Sequence, residues 1–171
     1  MKDFQRVRLV EPSPFTDSRG SFTRLVDTLW GVPPIVQVSV SYNVEVGTLR
    51  GMHSSIRESQ EFKVVSCIQG AISDFVVDVR PESPDYMRVM NFELNSERPG
   101  SLLIPPGCAH GYVTRDPRTR VLYSMTSLYN PGTEVGYLWN DPVLGIEWPI
   151  EPTVISDRDL AFQMLSGLPE L

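Results

Sequence analysis

Hydrophobic residues along this chain come in short β-rich runs broken by turn residues, and helical rhythm is almost absent. Eight runs predict strands: RVRLV (6–10), IVQVSVSY (35–42), EFKVVSCI (61–68), AISDFVVDV (71–79), RVMNFEL (88–94), SLLIP (101–105), CAHGYVT (108–114) and RVLYSMTSL (120–128). Gln69-Gly70 stands between two of them as a tight hairpin candidate. The segments 81–84 and 98–100 read as turns. Only TRLVDTLWG (23–31) and SDRDLAFQML (156–165) suggest helices, the second with Ser156 as N-cap. So many short strands predict a mainly β protein, a sandwich or jelly-roll barrel with a few short helices and the C-terminal helix at one end.

Length and composition narrow the class. A chain of 171 residues with no visible linker reads as a single domain, 1–171. Hydrophobic residues at 41% and charged residues at 21% are close to a globular average. The net charge of −6 argues against non-specific binding to nucleic acid or to an anionic membrane surface. No apolar run is long enough to span a bilayer, and the charged N-terminal stretch lacks the apolar core of a secretory signal. Two cysteines, Cys67 and Cys108, are too few for a disulfide or zinc scaffold and read as reduced thiols of a cytoplasmic protein.

Candidate chemistry centres on the two histidines, His53 in LRGMHSS and His110 in IPPGCAHGY. Arg50 precedes His53 by three positions and Lys63 follows it by ten, so a strand-turn-strand layout would place all three on one interior surface. A jelly roll with histidines also suggests a metal site, but no His-x-His pair occurs and the neighbours of His53 are cationic, which suits an anionic or carbonyl ligand better. A neutral histidine beside Lys and Arg fits proton abstraction next to a carbonyl. The imidazole would be the base, a carboxylate on its other nitrogen would fix the tautomer, and a cation would steady the enolate. A tyrosine opposite the base would return a proton to the other face and make an epimerase.

The segments FTDSRGSF (15–22), LRGMH (49–53), DFVVDVRPESP (74–84), IPPGCAHGY (104–112), YNPGTE (129–134), WNDP (139–142), GIEWP (145–149) and SDRD (156–159) follow one another in an order and spacing that resembles the dTDP-4-dehydrorhamnose 3,5-epimerase family. The resemblance implies a cupin-type jelly roll that epimerises a nucleoside-diphosphate 4-keto-6-deoxyhexose without a cofactor or metal. Under it, His53 matches the base, Asp159 its carboxylate partner, Lys63 the enolate-stabilising lysine and Tyr123 the acid on the opposite face. His110 and Asp74 match a second His–Asp pair, and Arg19 and Arg50 match contacts to the nucleotide and its diphosphate. Phe22, Gln37, Tyr129 and Glu134 match other pocket positions. The family also implies a homodimer, with RVRLV and FTDSRGSF as the segments to cross between subunits. Five positions depart from the family pattern: Arg24, Ser39, Ser54, Ser55 and Glu61. They point to a different sugar nucleotide or a different choice of C3, C5 or both. Two readings compete with the epimerase: a metal-dependent cupin isomerase or oxygenase, and a sugar-nucleotide binding protein without catalysis.

Overall fold

The structure is a computed structural model that describes residues 6–55 and 60–165. Two five-stranded antiparallel sheets face each other. The first has the order β1 (Arg8–Val10), β9 (Ser101–Ile104), β6 (Lys63–Gln69), β11 (Thr119–Met125), β4 (Gln37–Asn43). The second has the order β12 (Glu134–Gly136), β5 (Leu49–Ser55), β10 (Cys108–Thr114), β7 (Ala71–Asp78), β8 (Val89–Asn95). A separate hairpin, β2 (Phe15–Asp17) with β3 (Gly20–Phe22), projects from the N-terminal segment. This is the expected mainly β, jelly-roll-type arrangement.

Alternation along the strands explains the layers. Val65 and Cys67 of β6, Ile72 and Val76 of β7, Cys108 and Tyr112 of β10, and Val121 of β11 point between the sheets and form the central core. On the central strands the intervening residues are buried too, because part of each sheet is covered outside. Val26, Trp30 and Ile35 pack Phe62, Val64 and Leu103 on the first sheet. Tyr137, Leu144, Ile146 and Trp148 pack Met52, Phe75, Val77 and Ala109 on the second. Burial on both faces puts apolar residues on both sides of β7 and β10, among buried polar groups such as Asp74 and His110.

Three expectations need correcting. TRLVDTLWG is not a helix: only Thr28–Trp30 makes a single 3₁₀ turn, started by the Asp27 side chain accepting from Leu29 N–H. Packing of Val26 and Trp30 against the sheet holds the rest of that stretch irregular. The C-terminal helix, α1 (Asp157–Leu160), is one turn long, although Ser156 does cap it by accepting from Asp159 N–H at 3.1 Å. Beyond Ala161 the chain straightens so that Leu138 N–H reaches the Gln163 carbonyl. Gln69-Gly70 is a corner rather than a hairpin. β6 pairs with β9 and β11, and β7 with β10 and β8, so Gly70 carries the chain from one sheet to the other. Strands β2, β3, β5 and β12 were outside the eight predicted runs.

Candidate active site

One open end of the space between the sheets is filled by polar side chains instead of the apolar core. The cavity there has a volume of about 270 Å³, and both sheets line it. β5 contributes Arg50, His53 and Ser55, and β6 contributes Lys63. Tyr123 and Met125 come from β11, and Gln37, Ser39 and Ser41 from β4.

Residues three apart on a regular strand face opposite sides, yet Arg50 and His53 share this cavity. The pairing of β5 with β10 explains why: His53 lies opposite His110, but Arg50 lies opposite Tyr112. Three steps on β5 therefore match two on β10, a bulge that turns both side chains inward. The strands also approach closely at this point. Gly51 has φ 144°, and a Cβ there would fall 2.4 Å from the Gly111 Cα. Neither sequence position tolerates a side chain without moving the strand that carries a histidine.

His53 Nε2 is 2.9 Å from Asp159 Oδ1, and Asp159 Oδ2 accepts the Gly51 N–H at 3.1 Å. Burial works to raise the Asp159 pKa, but the His53 hydrogen bond, its charge and the Gly51 amide outweigh it and hold the carboxyl below its ordinary value. An ionised carboxylate only accepts, so Nε2 carries the proton and Nδ1 is left as the basic nitrogen of the ring.

His110 Nδ1 faces Asp74 Oδ1 at 3.4 Å, with both groups buried. Burial pushes the Asp74 pKa up and the His110 pKa down, each against the pull of its partner. The pair is thus drawn towards its neutral forms, unlike the His53–Asp159 pair. Burial, reinforced by Tyr112, lifts the Tyr123 pKa well above its ordinary value, so the phenol stays protonated.

Lys63 Nζ lies 3.3 Å from Glu61 Oε1. Hydroxyls of Ser55 and Ser127 donate to the two oxygens of that carboxylate at 2.9 and 2.8 Å. Burial opposes ionisation of Glu61, but Lys63 and the hydroxyls together hold its pKa below the usual value. Two of the departures from the family pattern, Ser55 and Glu61, are therefore joined in one hydrogen-bonded unit around Lys63. On the floor, Arg50 Nε donates to Asn43 Oδ1 at 2.8 Å, and Tyr112 Oη bonds Ser41.

Of the twelve expected site residues, eight line this cavity: His53, Lys63, Tyr123, Gln37, Arg50, His110, Tyr129 and Glu134. Asp159 and Asp74 stand behind the two histidines. Arg19 and Phe22 do not reach it: they sit on the β2–β3 hairpin, where Arg19 pairs with Asp17 beside a separate shallow depression. Ser41, Met125, Asn130 and Thr133 also line the cavity and were not anticipated. Ser41 continues the inward series Gln37, Ser39 along β4, so alternation in IVQVSVSY carried its signal. Among the described residues no group of three or more His, Cys, Asp and Glu is placed to hold a metal ion.

Comparison with known proteins agrees with this arrangement. The model of the dTDP-4-dehydrorhamnose 3,5-epimerase family matches residues 2–167. The dTDP-4-dehydrorhamnose 3,5-epimerase of Sinorhizobium fredii is 35% identical over 169 residues, covering 95% of this chain and 87% of that protein. The crystal structure of the Bacillus anthracis dTDP-4-dehydrorhamnose 3,5-epimerase with TDP and PPi bound superposes with a TM-score of 0.89. It is 36% identical and covers 96% of this chain and 97% of that one. ChmJ, a 3′-monoepimerase from Streptomyces bikiniensis in complex with dTDP-quinovose, superposes with a TM-score of 0.86 at 30% identity, covering 96% of this chain and 86% of that one. Fold, cavity and sequence agree over nearly the whole length, and the chain belongs to the dTDP-4-dehydrorhamnose 3,5-epimerase family.

Proposed function

We propose that this chain, a dTDP-sugar epimerase of the isomerase class, inverts configuration beside the keto group of a dTDP-linked 4-keto-6-deoxyhexose, with His53 as base. The observation that carries the reading is the placement of a His–carboxylate dyad and a protonated tyrosine on opposite sheets across one cavity, with a lysine beside the tyrosine's strand. His53 Nδ1 removes the hydrogen on C3 or C5. The electron pair delocalises onto the C4 oxygen, where Lys63 steadies the enolate. Collapse of the enolate takes a proton from Tyr123 on the other face. The substrate's own carbonyl is the electron sink, so the step needs no redox partner. Arg50 serves the diphosphate. The decisive experiment is incubation of the protein with dTDP-4-keto-6-deoxy-D-glucose in D₂O. Deuterium at C3, C5 or both is expected, and the configuration of the product at each labelled carbon tells a 3,5-epimerase from a monoepimerase. A substrate recovered without deuterium at either carbon would defeat the proposal.

Asp159→Asn tests the dyad. Only the amide oxygen can take the Gly51 N–H, which turns the NH₂ group towards Nε2 and leaves the proton on Nδ1, the wrong nitrogen for a base. Restoring the productive tautomer sets two donors face to face, a cost of ~1–3 kcal/mol. A drop in kcat of about ten- to a hundredfold follows, with little change in melting temperature. Wild-type kcat would mean that Asp159 has no part in orienting the base.

We assign a homodimer as the working form. The outer face of β4 presents Val38, Val40 and Tyr42 to solvent, with Val36 and Val44 beside them, on the edge of a sheet. On the β2–β3 hairpin, Phe15 and Phe22 are 65% and 68% exposed although they pair with each other. β1 is already paired with β9 of its own chain, so the hairpin is the segment free to cross. Crossing would bring Arg19 and Phe22 to a neighbour's nucleotide. Light scattering at micromolar concentration should give twice the 19.3 kDa chain mass, and a monomer mass would contradict the assignment. Buried free thiols at Cys67 and Cys108 suit a reducing compartment, and we place the protein in the cytoplasm.

A further inference from the structure

His53 is gripped from two directions, and the second grip lies outside the reaction scheme. Gly136 on β12 pairs directly with His53 on β5. A side chain at that position would fill the flank of the imidazole. Instead, the Phe162 ring occupies the space: a Cβ on Gly136 would fall 2.2 Å from Phe162 Cε1 and 2.3 Å from Cδ1 and Cζ. The phenyl and imidazole rings meet at 89° with centroids 5.6 Å apart.

Phe162 follows Asp159 by three residues, so one short turn supplies both contacts to the imidazole. That turn is itself held. Arg158 lies 5.7 Å from the Phe162 ring centroid and forms an ion pair with Glu134, two residues before Gly136. Further on, Leu138 N–H donates to the Gln163 carbonyl at 3.0 Å. The phenyl ring is therefore wedged between β12, the guanidinium and the imidazole.

We infer that Phe162 is a positioning residue for His53: with Gly136 it locks the imidazole in the rotamer that keeps Nε2 on Asp159, and it shields that hydrogen bond from water. A hydrogen bond alone fixes one edge of a ring but allows rocking about its χ2 torsion, a broad and shallow rotation for imidazole. The perpendicular phenyl ring removes that freedom. A catalytic group displaced by a fraction of an ångström loses rate without losing substrate affinity.

The inference rests on His53 being the base, and its test separates the two claims. ¹⁵N-labelled protein contains only two histidines, so His110 serves as the internal reference for His53 in long-range ¹H–¹⁵N spectra of the rings. In Phe162→Ala, His53 should change from the single Nε2–H pattern to averaged tautomers while His110 keeps its shifts. With dTDP-4-keto-6-deoxy-D-glucose, kcat should fall about tenfold while KM stays within about twofold. Phe162→Leu, which refills part of the volume without the flat ring, should recover only part of both signals. If the alanine variant does not fold, the remaining change in the His53 pattern and the remaining loss of kcat carry the test. An unchanged His53 pattern in the folded variant overturns the inference, and so does a rise in KM at constant kcat. A changed ring pattern in a protein whose His53→Ala variant stays active would uphold the positioning and remove the role of His53 as base.

Discussion

His53→Ala should lower the rate of C–H exchange and of epimerisation by about 10²–10⁴-fold, the usual contribution of a positioned general base, while the far-ultraviolet circular dichroism stays that of the wild type. The residue is chemically central but structurally peripheral. It stands at the cavity wall, outside the three apolar clusters that hold the sheets together. The variant leaves Asp159 without its imidazole, but the Gly51 amide and the turn begun at Ser156 still hold that segment in place. Among the described residues of the cavity, the other candidate bases are engaged elsewhere, Glu134 by its ion pair with Arg158. His110 is buried against Asp74 and its pKa is driven down by that burial, which makes it a weaker base than a solvated imidazole. Glu61 is already committed to Lys63 and two hydroxyls. Exchange into C3 or C5 measured by NMR in D₂O gives the result directly, and near-normal exchange would show that the base lies elsewhere.

The chain announced its class through its strands more clearly than through its helices. Runs such as AISDFVVDV and CAHGYVT are buried on both faces, so apolar residues stand on both sides of each strand, interrupted by a few polar groups such as Asp74 and His110, and such a run is visible without a partner. Strand β5 was harder to see. LRGMHSS contains a glycine and two serines because it bulges, touches Gly111 and feeds a cavity, so it lacks the pattern of an ordinary strand. The same bulge decides that Arg50 and His53 share a surface, a point that no count of residues reveals. Asp159 lies 106 positions from His53, and only the family resemblance connected the two before the fold did. TRLVDTLWG and SDRDLAFQML carry helix-like composition, but the first is spread against a sheet and the second must straighten to run beside Leu138. Phe162 gave no sign of its position, because a phenylalanine near a chain end reads as ordinary apolar packing and its partner is the absence of a side chain at Gly136.

Tyr123→Phe should uncouple exchange from inversion. An epimerase takes a proton from one face of the sugar and returns one to the other, and a single side chain on one strand cannot serve both. His53 projects from β5 in one sheet, and Tyr123 from β11 in the opposite sheet, into the same cavity. The phenol is held protonated by burial and by Tyr112, so it is a donor at any pH the protein tolerates, and its titration will not appear in the rate profile near neutrality. The variant removes one hydroxyl and keeps the ring that packs against the central core, so the fold should be unchanged. His53 can still take the substrate hydrogen, exchange it with solvent and return deuterium to the face it came from. Wash-in of deuterium with retained configuration should therefore continue near the wild-type rate. Net inversion, which needs the proton from the other side, should fall by about 10²-fold or more, the scale of a lost general acid. The two rates can be read in one sample, deuterium by position and configuration by the ring proton couplings. If both rates fall together, Tyr123 contributes packing or binding. If neither falls, water or another group supplies the second proton.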